Sequence, residues 1–155
     1  MFKVLPFGLA IACYTFTKLL RLLVKYWHSQ GLRAIVYFDD GIVAISGKEA
    51  AQKASHSVKA DLAKAGFVQH SAKCTWEPTQ KFCWLGFELD LKVGFISVPK
   101  NKITALQTLL EHASGQEVLS ARQIASITGK IISMSLALGT IARLQTRSLY
   151  SLINT

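Results

Sequence analysis

The stretch that most constrains the fold is residues 34–46, two apolar, β-branched runs joined by Asp39-Asp40-Gly41. Valine and isoleucine favour extended chain, and Asp-Gly between two such runs is one of the strongest signals of a β-hairpin. We therefore predict a strand over residues 33–38, a tight turn at Asp39-Asp40-Gly41 and a second strand over residues 42–46. Such a hairpin carries two carboxylates side by side at its tip.

Two interpretations of this aspartate pair are open. Asp and Gly tolerate the unusual backbone angles of a tight turn, so hairpin geometry alone accounts for Asp39 and Asp40. Alternatively, adjacent carboxylates on a hairpin supply the hard oxygen ligands that Mg²⁺ prefers, and Mg²⁺ bridges nucleotide phosphates during transfer reactions. The choice depends on the surrounding sequence, in which residues 1–38 hold five basic residues and no Asp or Glu.

The charge of the chain is positive and unevenly distributed. The 155 residues include 18 Lys and Arg against 9 Asp and Glu, for a net charge of +9. The excess lies at both ends, because residues 91–155 hold seven basic and two acidic residues. Two basic regions around a local acidic point suit a bound polyanion whose phosphates Lys and Arg neutralise. A solubility role would also account for the excess.

Length and cysteine content narrow the class of protein. Half of the residues are hydrophobic, which suffices for one domain or two small subdomains. Cys13, Cys74 and Cys83 are too few and too irregular for a disulfide framework, which indicates a reducing compartment. His70, Cys74 and Cys83 do not show the spacing of a zinc finger. No apolar run reaches the ~18 residues of a membrane span.

The N-terminus carries a competing signal. Lys3 precedes an apolar run that ends at Cys13, a pattern similar to that of a signal peptide. Pro6 and Gly8 interrupt the run, and the apolar spacing continues past Cys13 at helical steps. An exported protein therefore remains an alternative.

The remaining pattern predicts an α+β protein of two parts. The first helix follows Gly8 and ends at Gly31, with an apolar stripe of Ala12, Cys13, Phe16, Leu19, Leu20, Leu23 and Trp27. A second helix spans residues 48–65, a short strand residues 67–70, and a second hairpin residues 81–90 and 93–98. Helices follow over residues 100–113, 120–138 and 140–153, with Ser120 as an N-cap. The predicted domains are 1–98 and 99–155.

In this order the segments resemble those of reverse transcriptases, most closely the enzymes of DIRS-type and gypsy-like retrotransposons. The resemblance covers nearly the whole chain. The motifs are Leu5-Pro-Phe-Gly-Leu9 with Phe16-Thr-Lys18, Tyr37-Phe-Asp-Asp40, Gly66-Phe67 with Lys73, Phe82-Cys-Trp-Leu-Gly-Phe87, and Leu119-Ser-Ala-Arg-Gln-Ile124 with Thr128-Gly-Lys130. It implies a partial polymerase palm, an antiparallel sheet with helices and a YxDD hairpin, followed by a three-helix thumb.

The resemblance also implies an activity and its residues. The family joins nucleotides by a two-metal transfer with Mg²⁺ or Mn²⁺, for which Asp39 is the direct ligand and Asp40 its electrostatic support. Tyr37 and Phe38 would lie near the primer terminus and the incoming nucleotide, and Lys73 near the triphosphate. The nucleotide pocket would be shaped by Pro6, Phe7 and Gly8. The primer strand would be supported by Trp84, Leu85, Gly86 and Phe87. Ordinary strand aromatics and a solvated loop lysine are the alternative interpretations.

The implied partners are an RNA or DNA primer-template, deoxynucleoside triphosphates and the remainder of the polymerase, in the cytoplasm or nucleus and away from membranes. Reverse transcriptases place a third metal-binding Asp on a strand before the Leu-Pro-Phe-Gly segment, and residues 1–4 contain none. We therefore expect a truncated gene model or a degenerate element copy, inactive alone, with an unpaired sheet edge. A non-catalytic remnant that binds nucleic acid is the second alternative.

Overall fold

The computed structural model describes residues 8–153 and divides the chain into two compact units, Met1–Thr79 and Gln80–Thr155. The first unit contains α1 (Ala10–Ser29), β1 (Arg33–Tyr37), β2 (Asp40–Ala44) and α2 (Lys48–Lys64). The second contains β3 (Lys81–Trp84), β4 (Phe87–Asp90), β5 (Phe95–Ser97), α3 (Lys100–Ser114), α4 (Ala121–Ile132), α5 (Ser135–Leu138) and α6 (Ile141–Ile153). The predicted α+β class is confirmed.

The core of the first unit forms where α1, α2 and the β1–β2 hairpin meet. Its buried centre consists of Trp27, Ala34 and Val58, with half-buried side chains such as Leu23 and Val43 around it. The helical spacing of apolar residues in α1 predicts this face, but Cys13 and Leu19, which the predicted stripe includes, are exposed. The buried stripe is therefore narrower than the predicted one.

The hairpin exists, but its turn differs from the prediction. Tyr37 pairs with Asp40, so the two turn residues are Phe38 and Asp39, and Gly41 pairs with Val36 inside the ladder. This register pairs Ala34 with Val43, and both side chains pack in the core. A turn over residues 39–41 would change the register and lose that pairing, so burial outweighs the local preference of Asp-Gly.

Residues 67–70 are not a strand, contrary to the prediction. Side chains hold this segment instead, because the ring of Phe67 meets the ring of Phe16 edge to face at 5.6 Å. The side chain of Gln69 also donates a hydrogen bond to the carbonyl of Lys59 at 2.9 Å. Without a strand partner here, β1 and β2 form a two-stranded sheet.

The second unit begins with a three-stranded antiparallel sheet in the order β3-β4-β5. The prediction of one continuous strand over residues 81–90 is wrong, since the chain turns at Leu85 and Gly86, which have φ angles of 48° and 75°. Two successive positive φ values are typical of a type I′ turn, whose twist matches that of the strands. Gly86, within the aromatic-rich segment predicted as a strand, therefore marks a turn.

The described part of the second unit contains four helices, whereas the prediction has three. Ser120 caps α4 as predicted, because its hydroxyl accepts a hydrogen bond from the Gln123 amide in a capping box. The predicted helix over residues 120–138 is interrupted at Ser133 and Met134. The Met134 N–H donates to the carbonyl three residues earlier, that of Ile131, at 3.1 Å, instead of the carbonyl four residues earlier as in an α-helix.

Small side chains pack α4 against α6. Thr128 and Thr146 are 1% and 0% exposed, and the hydroxyl of each donates to a carbonyl one turn earlier in its own helix at 2.8 Å. This internal bonding satisfies the hydroxyls, so they can be buried without an outside partner. No helix in residues 8–153 has the length and apolarity needed to cross a membrane.

Candidate functional site

The tip of the β1–β2 hairpin presents both predicted carboxylates to solvent. Asp39 is the second turn residue and Asp40 the first residue of β2, and both are exposed. Within residues 8–153, no hydrogen bond or ion pair engages either side chain. A ligand can therefore bind these carboxylates without breaking an internal contact.

The aromatic residues before the aspartates share the same tip. The rings of Tyr37 and Phe38 meet edge to face, with centroids 4.9 Å apart and an interplanar angle of 87°. They are 58% and 44% exposed. Phe38 adopts a φ of 53°, a left-handed conformation that is uncommon for a bulky residue and is concentrated at functional sites.

The base of the hairpin is anchored by polar contacts as well as by the core. The imidazole Nε2 of His28 donates to the carbonyl of Ala34 at 2.7 Å, linking the end of α1 to β1. The indole Nε1 of Trp27 donates to Oδ2 of Asp61 on α2 at 3.1 Å. The hairpin therefore has an anchored base and a tip open to ligands.

The chemistry of the donor set suits a hard divalent cation. Mg²⁺ and Mn²⁺ prefer carboxylate oxygens, and Mg²⁺ is commonly held by one or two carboxylates together with water and substrate phosphates. Asp39 and Asp40 fit that requirement. Across residues 8–153 there is no group of three or more His, Cys, Asp or Glu side chains that could hold a metal alone.

Other predicted site residues of the first unit lie outside the hairpin. Gly8 has a φ of 89°, and a Cβ built on it would meet no atom within 4 Å. Pro6 and Phe7 lie outside the described residues. Lys73 is exposed in a turn closed by its amide, which donates to the carbonyl of His70 at 3.0 Å. Its role at a triphosphate stays a prediction.

The β3–β4 turn brings together the four residues predicted to support the primer. Trp84 pairs with Phe87 across the turn formed by Leu85 and Gly86. Phe87 is 8% exposed and Leu85 is 39% exposed, so the turn has a buried base and an open tip. The indole Nε1 of Trp84 is buried without an acceptor among the described residues.

A lysine that the sequence does not single out lies against this turn. Nζ of Lys102, in the first turn of α3, is 5.1 Å from the centroid of the Phe87 ring. A Cβ built on Gly86 would lie 2.5 Å from that Nζ and 3.1 Å from Cε. Lys102 follows Gly86 by 16 residues, and no motif in the sequence signals their contact.

The comparisons with known proteins agree with the hairpin motif. No curated protein matches the chain. The family model described as reverse transcriptase (RNA-dependent DNA polymerase) matches residues 1–89, more than half of the 155 residues. The matched segment includes the Asp39-Asp40 tip and the turn at Leu85 and Gly86. The chain therefore belongs to the reverse transcriptase family.

Proposed function

We propose that the chain provides palm and thumb portions of a retrotransposon reverse transcriptase, of the DIRS-type or gypsy-like kind, that extends a primer by two-metal nucleotidyl transfer. The observation that carries this proposal is the Tyr37–Asp40 tip, where two exposed carboxylates without internal partners follow two exposed aromatic rings. The tip lies within the segment that matches the family.

The two carboxylates have different roles in this proposal. Asp39, in the turn itself, is the direct ligand of a divalent cation, and Asp40 at the start of β2 adds negative charge beside it. Mg²⁺ or Mn²⁺ held there would neutralise charge on the phosphates of the incoming nucleotide. Residues 1–38 contain no acidic residue, so Asp39 and Asp40 are the first carboxylates in the sequence.

The other residues around the hairpin position the substrates. Tyr37 and Phe38 contact the primer terminus and the incoming deoxynucleoside triphosphate through their solvent-exposed rings. Lys73 approaches the triphosphate and stabilises or protonates the leaving pyrophosphate. The pocket around the templating pair is shaped by Pro6, Phe7 and Gly8.

The second unit holds the nucleic acid. The turn of Trp84, Leu85, Gly86 and Phe87 supports the primer strand, and the helices of residues 99–155 form the thumb. Their basic residues bind phosphates of an RNA or DNA primer-template, without reading its sequence. Primer extension takes place inside the cell, in the cytoplasm or nucleus.

Primer extension in Mg²⁺ tests the proposal on three proteins. They are the 155-residue chain, the chain joined to the Asp-bearing strand and fingers of a related reverse transcriptase, and the joined protein with Asp39→Asn. We expect extension only by the joined protein. Asp39→Asn removes a ligand charge at constant size, so it should abolish extension while the circular dichroism spectrum stays unchanged.

The matched control is Glu49→Gln, which neutralises another exposed carboxylate of the first unit. Undiminished extension by the Asp39→Asn protein would remove Asp39 from the mechanism. Extension by the 155-residue chain alone would show that the carboxylates of this chain suffice for the reaction. Duplex binding without extension by the joined protein would instead support the non-catalytic alternative.

A further inference from the structure

The segment that follows α2 is anchored at both of its ends to the helices of the first unit. At its start, the ring of Phe67 packs edge to face on the ring of Phe16 of α1 at 5.6 Å. Two residues later, Nε2 of Gln69 donates a hydrogen bond to the carbonyl of Lys59 of α2 at 2.9 Å. Phe67 and Gln69 are half-buried, whereas residues 70–75 are exposed. The start of the segment is therefore held by both helices.

The end of the segment is anchored by Trp76. Its carbonyl accepts a hydrogen bond from the hydroxyl of Ser55 of α2 at 2.5 Å. Its half-buried ring packs against the buried core of the first unit. Nζ of Lys59 lies 5.7 Å from the centroid of the same ring. A hydrogen bond to the backbone, core packing and a cation near the ring together hold Trp76 on α2.

Lys73 lies in the exposed turn between the two anchors. Its amide and the amide of Cys74 donate to the carbonyl of His70 at 3.0 and 3.1 Å, which closes the turn. Trp76 follows Lys73 by three residues, so their Cα atoms can lie at most about 11 Å apart. A displacement of Trp76 from α2 therefore moves Lys73 as well.

We propose that Ser55 and Trp76 are positioning residues that fix Lys73 for its contact with the nucleotide triphosphate. The inference rests on the proposed function, in which Lys73 acts on the leaving pyrophosphate. It deepens that function, because none of the sequence motifs includes Ser55 or Trp76. An exposed turn without anchors would have to be ordered at each reaction, at a cost in conformational entropy. A lysine that is already oriented avoids that cost.

Hydrogen exchange in the 155-residue chain, followed by NMR, tests the anchoring. Ser55→Ala removes the hydroxyl that bonds to the Trp76 carbonyl. The Lys73 and Cys74 amides should then exchange about 2- to 12-fold faster, which corresponds to the loss of one hydrogen bond. Ser55→Thr keeps a hydroxyl and should retain slow exchange. Ser57→Ala, at an exposed serine of the same helix, is the matched control and should leave both amides unchanged.

Primer extension by the joined protein tests the positioning. Ser55→Ala should lower kcat/KM for the nucleotide about 2- to 12-fold. Lys73→Met should lower it about 10²-fold or more, a typical loss for a group that transfers a proton in the transition state. Ser55→Ala added to Lys73→Met should cause no further loss, because Ser55 acts through Lys73. If Ser55 only stabilised the fold, the two losses would add.

A variant of Trp76 reaches the same turn from the other partner of the hydrogen bond. Trp76→Leu keeps an apolar side chain against the core but loses much of the contact area. It should speed exchange of the Lys73 amide and lower kcat/KM, again with no further loss in the Lys73→Met protein. Val68→Ala, at a 99% exposed side chain of the same segment, is its control. If Trp76→Leu fails to fold by circular dichroism, Trp76→Phe takes its place with a smaller effect of the same sign.

The outcomes separate this inference from the proposed function. Unchanged exchange of the Lys73 amide in either Ser55→Ala or Trp76→Leu overturns the inference alone, and so do additive losses in a joined protein that extends a primer. Undiminished extension by the Lys73→Met protein removes Lys73 from the mechanism, and the inference fails with it. A joined protein that extends no primer overturns the proposed function itself, on which the inference rests.

Discussion

At the scale of single residues, backbone conformation at Phe38 stands out. Its φ of 53° belongs to a region where an L side chain costs roughly 1–2 kcal/mol. The cost persists because the hairpin register on either side is fixed by the pairing of Ala34 with Val43 in the core. The strained residue stands directly before the two carboxylates, so the turn sets the position of Asp39.

This strain predicts an inverted order of variants at position 38. Phe38→Gly should be more stable than Phe38→Ala by about 1 kcal/mol, because both lose the ring contact with Tyr37 but only alanine keeps the backbone cost. At Ile35, in the middle of β1, the alanine variant should be the more stable one. Urea unfolding measures all four. The same order at both positions would show that Phe38 is unstrained.

A partly buried hydrogen bond gives a second prediction at this scale. Trp27 is 3% exposed and its Nε1 donates to Asp61 at 3.1 Å. Asp61→Ala leaves that donor unpaired, which should cost about 1–3 kcal/mol in urea unfolding. Asp61→Asn keeps an acceptor and should cost less, and Glu77→Ala, at an exposed carboxylate, should be near neutral. Equal losses for Asp61→Ala and Glu77→Ala would mean that the bond does not contribute.

At the scale of elements, the start of α4 is defined by a local signal. The Ser120 hydroxyl accepts from the Gln123 amide, and Gln123 Oε1 accepts from the Ser120 amide at 2.8 Å. Ser120→Ala should therefore destabilise the chain by about 1 kcal/mol, and Ser120→Asp should retain most of the stability. Ser126→Ala, at an exposed position within α4, should have little effect. Thermal unfolding by circular dichroism would detect the difference, and a neutral Ser120→Ala would contradict the cap.

At the scale of the whole molecule, the net positive charge is the property that bears most on nucleic-acid binding. A net charge of +9 predicts that primer-template binding depends on phosphates and weakens steeply with salt. If about six phosphates are contacted, affinity should fall roughly 10³-fold between 50 and 200 mM salt. A duplex with uncharged methylphosphonate linkages is the control and should bind weakly at every salt concentration. A flat salt response would assign the positive charge to solubility.

Predictability from sequence differs between the elements. The helical spacing of apolar residues located α1, and the Ser120 signal located α4, because each depends on residues a few positions apart. The short segment at residues 67–70 was assigned wrongly, since ring packing of Phe67 on Phe16 replaces strand pairing there. At the candidate site, the residues of the hairpin were identified by motif, and their roles stay predictions.

The sequence by itself determined the family, the α+β class and the presence of two carboxylates at a hairpin tip, since these follow from local patterns and the order of motifs. Only the tertiary structure decided the turn at Phe38 and Asp39, because burial of Ala34 opposite Val43 sets the register. Only the tertiary structure could place Lys102 over Gly86 and Phe87, a contact between segments that are distant in sequence. Local propensity specifies elements, whereas packing between elements specifies register and contact.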